Sequence, residues 1–403
     1  MHAVTRPFPL GGDGGGDGSD VELDDIAAGD GYLFVRDGVG VAGRGVAGRW
    51  TGGHAELIEH LSSMSHETQV DGVHPIGFVT LPFEPEGACE LIVPAVVVGH
   101  GPDGTRWITT IGTGEAQPVH AVARPAPTAH AYSVRPRTPV AHYLAAVATA
   151  RDAVRAGALE KAVIAREVEV TCDAAIDVHA VLLRLRASFG SSYRYSIDGF
   201  VGASPELLVA VDGTTVQSHP LAGTSPRTGD PVADATIAAE LLASTKNQIE
   251  HRVVIEAIYD TLLPYCSYLD WEPEPSILAV ANVQHLATHM EGLLSEPRPS
   301  ALALARRLAP TPALGGFPRD EALALIRTAE GFARGRYGGA VGWVDAAGNG
   351  TFAVAIRCAE LSADRRSARL VAGGGIVAGS EPEAELAETQ SKLQAMLSAI
   401  IRP

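Results

Sequence analysis

Between Gly31 and Gly112 one device recurs: "YLFVRDGVGVAG", "GFVTLPFE", "LIVPAVVVG" and "RWITTIG" are strand-like stretches, each bounded by Gly or Pro. Short stretches bounded in this way have the pattern of an antiparallel sheet rather than of βαβ units. The device returns later in the chain. "YSIDGFVGASPELLVAVDGTTVQSHPLAG" reads as a meander with a hairpin turn at Asp212-Gly213. "GGAVGWVDAAGNGTFAVAIRCAEL" reads as a hairpin turning at Gly348-Asn349-Gly350. Helical patterns come in blocks: residues 140–171 read as helix then strand, a long helix runs from about Asp234 to Leu263, and a shorter one covers about 319–333. The strand "ARLVAGGGIV" precedes a last helix with Ser380 as N-cap and Glu383 three residues on. Antiparallel strands with helices in blocks indicate an α+β fold.

The 403 residues suffice for one large core or two ordinary ones. Residues 1–22 read as a disordered segment on account of the Gly/Asp/Ser-rich stretch 10–20, which lacks the Gly-Lys-Ser/Thr ending of a phosphate loop. A Pro/Ala/His-rich stretch, Gln117 to Pro139, reads as a linker or surface excursion between a β-rich part, 23–137, and the remainder, 138–403. The net charge of −16 speaks against nucleic acid or an anionic membrane as partner. An anionic small molecule stays admissible, because a local Arg, a bound cation or a backbone N–H nest reverses the sign inside a pocket. No apolar run reaches the roughly 18–20 residues of a membrane span, and the N-terminus lacks the features of a signal peptide. The expected location is the cytoplasm. Cys89, Cys172, Cys266 and Cys358 are scattered, without a CxxC pair, and read as free thiols.

Several residues break this bland pattern. In "LEKAVIAREVEV" Lys161 stands at the mouth of an alternating strand, where pattern alone makes it a solvated strand-end lysine. Glu250 shares a helix face with Val253, Val254 and Ala257, with Lys246 and Asn247 one turn back. A carboxylate on an apolar stripe is costly unless it is paired, here with Lys246, or binds a cation. In the last helix Leu386, Leu393 and Leu397 form a core stripe, while Glu385, Glu388 and Lys392 lie along another face that would ordinarily be a solvated, salt-bridged one. The glycines of "AGGGIVAGS" either let backbone N–H groups approach a carboxylate or mark a bulge at a strand end. In "TFAVAIR", Arg357 ends a row of small residues and serves either as a reach over a pocket floor or as a core rim.

Ten pieces in order then supply a map: "KAVIAR" (161–166), "GASPELL" (202–208), "HPLAGTSPR" (219–227), "STKNQIEH" (244–251), "VQHLAT" (283–288), "PTPALGGFP" (310–318), "YGGAVGW" (337–343), "FAVAIRCAEL" (352–361), "AGGGIV" (372–377) and "ELAETQSKL" (385–393). With them the chain resembles the chorismate-utilising enzymes, and most closely the isochorismate synthases. The resemblance covers about residues 140–400; the N-terminal third matches chiefly through "LPFEPEGACELIVP" (81–94). It implies a large sandwich of two antiparallel sheets flanked by helices, with 138–403 as the chorismate-binding catalytic region. It also implies Mg2+ as cofactor, held by Glu250 and Glu388 with Glu385 close by. Arg357 and Tyr337 would grip the pyruvyl carboxylate, assisted by amides around Gly373 and Gly374. Gly223 and Thr224 would sit near the ring carboxylate, His285 and Ala313 would line the ring, and Lys392 would neutralise the acidic cluster.

The implied reaction moves a hydroxyl across the chorismate ring, with Lys161 as general base and Glu206 as general acid. A lysine that is partly neutral and a glutamic acid that stays protonated near pH 7 both require a tuned environment. Anthranilate synthases resemble this chain but usually carry Gln where Lys161 stands, so lysine points to water rather than ammonia. Aminodeoxychorismate synthases carry a lysine in "PIKGT" where this chain has "PLAGT" with Ala222. Salicylate synthases share both the lysine and the alanine, then eliminate pyruvate; they are the alternative, but "LGGFP" and "IRCA" are more similar to isochorismate synthases. A non-catalytic chorismate-binding protein is a further alternative, disfavoured because each implied position keeps a competent side chain. Ala309 departs from the many relatives that carry His before "PTPA". The resemblance implies a monomer needing no glutaminase subunit.

Overall fold

The computed structural model describes residues 1–8, 22–112, 123–124, 128–280 and 282–402. The Gly/Asp/Ser-rich stretch and much of the expected linker fall outside the described residues. Where the sequence suggests disorder at the N-terminus, His2–Pro7 forms a strand, antiparallel to Arg106–Ile111 and parallel to Ser65–Thr68. The linker stretch likewise holds a strand, Tyr132–Pro136, that a proline-rich composition conceals; it lies at a sheet edge, where a missing N–H is tolerated.

Among the described residues two large sheets form the body, one of 13 strands and one of 9. Nearly all pairings are antiparallel, as close Gly and Pro punctuation requires. The two sheets face each other over a core that includes Phe78, Tyr195, Phe200 and Phe352, each fully buried. Each such side chain contributes roughly 1.5–3 kcal/mol relative to exposure. The outer face of the larger sheet is covered by helices: Val178–Phe189 and Pro382–Ile401 over one apolar cluster, Val140–Arg155 and Arg319–Ala329 over another. No helix among the described residues is long and apolar enough to cross a membrane.

A third sheet of three strands, Leu221–Pro226, Val283–Ala287 and Ser276–Ala279, lies outside the two-sheet expectation. The expected long helix is also two helices, Pro231–Ala243 and Thr245–Leu262, broken at Ser244. Ser244 adopts an extended backbone, and its hydroxyl caps the second helix by accepting from Asn247 N. The N-cap position of the last helix is Glu381, whose side chain makes no capping bond, rather than Ser380, whose hydroxyl accepts from Val377 N.

Candidate active site

The site rests on two strands far apart in sequence. Lys161–Cys172, here the lysine strand, pairs antiparallel with Ser367–Ile376, the glycine strand, from Ala162↔Ile376 to Thr171↔Ser367. Lys161 is not the solvated lysine that the strand pattern suggests: it is 4% exposed. Its Nζ donates to Glu250 Oε1 at 2.7 Å. Glu250 therefore pairs across the fold with Lys161, rather than along its own helix with Lys246.

The glycine run is a regular strand, neither a bulge nor a loose nest of amides. Gly374 faces Ile164 in the ladder, and what the site uses is its missing side chain. A Cβ there would lie 2.6 Å from Glu385 Oε2 and 3.8 Å from Glu388 Oε1. A Cβ on Gly375 would lie 2.8 Å from Lys161 Cε and 2.9 Å from Glu250 Oε1. The run clears the space that the charged groups occupy. Gly375→Ala meets only side-chain ends, so it is expected to fold but to lose about tenfold to a hundredfold in kcat by displacing both groups. Steady-state kinetics checks this; unchanged turnover would show that lysine and glutamate move aside without cost.

Around this pair opens a cleft with about 720 Å³ of empty space, its mouth included. Lys161, Glu206, Gly223, Thr224, Glu250, His285, Ala313, Tyr337, Arg357, Gly373, Glu388 and Lys392, all singled out in the sequence, line it together. Gly374 and Glu385 stand just behind the lining. The sequence reading missed Leu314, Ile356 and Gly375, lining residues without a polar side chain to mark them. Ala309 is buried outside the lining, its carbonyl accepting from Arg319 Nη2 at 2.6 Å.

Local irregularities aim the polar groups. Gly223, at φ 73°, is an extra residue in the Leu221–Pro226 strand, so that Ala222 faces Leu286 and Thr224 faces His285. Thr224 Oγ1 is then 3.0 Å from His285 Nδ1. Arg357 does not complete the alternation of "TFAVAIR": that strand ends at Val354, and Arg357 takes a left-handed backbone at φ 52°. Its Nη2 lies 3.5 Å from His285 Nε2. A guanidinium can only donate, so Nε2 accepts from Arg357, and the Nδ1 side of the ring faces Thr224 Oγ1 and the Gly223 backbone.

Burial tunes the titrating groups. Glu206 is 2% exposed, and that burial pushes its carboxyl up to about 8 against the Leu221 N–H and the ammonium groups of Lys161 and Lys392. Burial, with Arg357 and Lys392 nearby, takes His285 down to about 3, so the ring is neutral. Burial raises Tyr337 to about 12 and keeps it a phenol. Burial and the neighbouring Glu388 raise Glu385 to about 7. Glu250 behaves oppositely: burial would raise it, but the ammonium of Lys161, helped by Lys392 and Lys246, holds it below the usual carboxylate range. Lys392 Nζ bonds Gly373 O at 2.8 Å and Glu388 Oε1 at 2.6 Å.

Glu250 and Glu388 both line the cleft, and Glu385 lies near Glu388, whose charge adds to burial in raising it. Hard oxygen donors gathered in this way fit a divalent cation such as Mg2+. A tighter grouping of potential ligand atoms among the described residues, His130, Cys172 and Asp173, lies at the other end of the lysine strand.

Comparison with known proteins bears on what such a cleft accepts. The family described as "Chorismate binding enzyme" matches residues 89–401. Isochorismate synthase DhbC of Bacillus subtilis is 38% identical over 337 residues, covering 81% of this chain and 81% of that protein. Isochorismate synthase EntC of Escherichia coli K12 is 42% identical over 245 residues, 60% of this chain and 62% of that protein. The solved structure of MenF, the menaquinone-specific isochorismate synthase from Escherichia coli, superposes with a TM-score of 0.84 at 23% identity, over 99% of this chain and 94% of that one. At that identity the likeness concerns the fold.

Proposed function

This chain belongs to the chorismate-binding enzymes, and from that membership we propose that it is an isochorismate synthase, an isomerase that converts chorismate to isochorismate. The observation that carries the reading is the single cleft in which Lys161, a protonated Glu206, the Arg357 cation and the acidic cluster meet. Water adds at C2 of the ring as the C4 hydroxyl departs, and the double bonds shift between them. Lys161, once it has passed its ammonium proton on, as across the 2.7 Å bond to Glu250, takes the proton of the attacking water. Glu206, held neutral by burial, gives its proton to the departing hydroxyl, which leaves as water. The cycle closes when the proton gained by Lys161 is released and Glu206 takes one up again, so that no net proton is consumed.

Chorismate is a dianion, and a chain of net charge −16 must receive it with local cations. Arg357, with the Tyr337 phenol beside it, suits the pyruvyl carboxylate. Thr224 and His285, a neutral pair locked together at 3.0 Å, line the ring without adding charge. Glu250 and Glu388, backed by Glu385, would hold Mg2+, which supplies the positive charge that grips the ring carboxylate. Because water is the nucleophile, no ammonia-supplying subunit is required.

Incubating the purified protein with chorismate and Mg2+ and separating the products tests this reading. Isochorismate alone is the expected product. Salicylate with equimolar pyruvate would instead assign pyruvate elimination, and no turnover would overturn the enzymatic reading.

A further inference from the structure

Beneath the cleft lies a charged pair that the mechanism above does not use. Glu330 and Arg334 follow the helix Arg319–Ala329, and each is 3% exposed. Their ion pair is sealed from solvent, with Arg334 Nε donating to Glu330 Oε2 at 2.9 Å. Burying two charges costs several kcal/mol per ion before their attraction is counted, so the pair is poor evidence for stability by itself. Its other contacts show a different use.

The lysine strand has an open edge. The strand Tyr132–Pro136 covers it only from Val168 onward, and the two-residue strand Gly316–Phe317 only at Lys161 and Ala162. Between these lie outward-facing backbone groups with no strand to meet them. Glu330 Oε1 accepts from Ala165 N at 2.7 Å, and Arg334 Nη2 donates to Val163 O at 2.7 Å. The ion pair stands in for the missing strand. Arg334 Nη1 also donates to Leu314 O at 2.7 Å, and the guanidinium lies 4.2 Å from the Phe83 ring centre and 5.9 Å from that of Tyr337. One planar group thereby ties together the strand carrying Lys161, the Ala313–Leu314 wall and the Tyr337 ring.

We propose that Arg334, with Glu330, is a positioning residue for the reaction: the pair fixes the lysine strand against the Ala313–Leu314 wall so that Lys161 meets the attacking water in register. This inference rests on the reading of Lys161 as the base. Only a planar fork meets Val163 O, Leu314 O and Glu330 at once, whereas an ammonium is a single point of donation.

Arg334→Lys keeps the charge and loses the fork. Its kcat is expected to fall about tenfold to a hundredfold with KM within about threefold of wild type. Mg2+ should still bind by calorimetry, because among the described residues the Arg334 side chain bonds Glu330, Leu314 O and Val163 O, not the helices that carry Glu250 and Glu388. Glu330→Gln, which keeps an acceptor for Ala165 N, should show a smaller loss of the same kind. Full kcat in Arg334→Lys would overturn the proposal. So would activity and Mg2+ binding lost in parallel with the folded fraction measured by thermal melting, or failure of both variants to fold, since each outcome makes the pair a folding element only. An inactive wild-type protein would instead overturn the underlying functional reading.

Discussion

Lys161→Ala is expected to lower kcat by about two to four orders of magnitude while leaving chorismate and Mg2+ binding in place. The cleft keeps Arg357, Thr224, His285 and the acidic cluster when the lysine is trimmed, so binding groups and base are separable. Steady-state kinetics with calorimetric titration checks both halves; full turnover would refute the assignment of the base. The variant carries a second signature. Lys161 is what most strongly holds Glu250 low against the rise due to burial. A carboxylate held low contributes stability above its unfolded value, and that stability is lost as pH falls through the folded one. Removing Lys161 removes this contribution at neutral pH and leaves a buried charge short of a partner. Added Mg2+ should therefore raise the melting temperature of Lys161→Ala by more than that of the wild type.

Glu206→Gln is expected to cost a comparable factor, about two to four orders of magnitude in kcat, with the fold intact because the amide still accepts from Leu221 N. The wild-type profile supplies the sign. Burial holds the carboxyl protonated up to about 8. The acid form is the active one, so the limb of the pH profile that belongs to this carboxyl is a decline in kcat as pH rises through that value. In Glu206→Gln this alkaline limb should vanish from whatever activity remains. A limb that persists unchanged in the variant would assign it to another group.

Much of the fold was legible because its punctuation is local. Gly and Pro mark the turns of the strands between Tyr32 and Ile111, and those strands form where the sequence puts them. The split at Ser244 was harder to see: Leu241, Leu242 and Ala243 before it are good helix formers, and the hydroxyl bond to Asn247 is what reveals the cap. At the site, residue types were readable and partners were not. Glu250 on an apolar helix stripe signalled a cost, but the ammonium that meets it lies on a strand remote in sequence. The triple glycine signalled a close approach, yet which group approaches, Lys161, Glu250 or Glu385, is a property of packed side chains. Arg357 reached the cleft as its row of small residues suggested, though by a left-handed turn that strand alternation does not encode. Glu330 and Arg334 carried a helical four-residue spacing that resembles any surface pair; only their burial sets them apart.

The pairing of the lysine strand with the glycine strand also governs when the protein can first work. Ala162 meets Ile376, and the groups of the cleft run from Lys161 to Lys392. During synthesis the lysine strand emerges long before its neighbour, and its inner edge waits for residues still to be translated. Contacts of such separation form late, after the intervening chain has closed its own loops. A growing chain therefore carries Lys161 before the strand that pairs with it, and the cleft is complete only when the residues up to Lys392 have joined it.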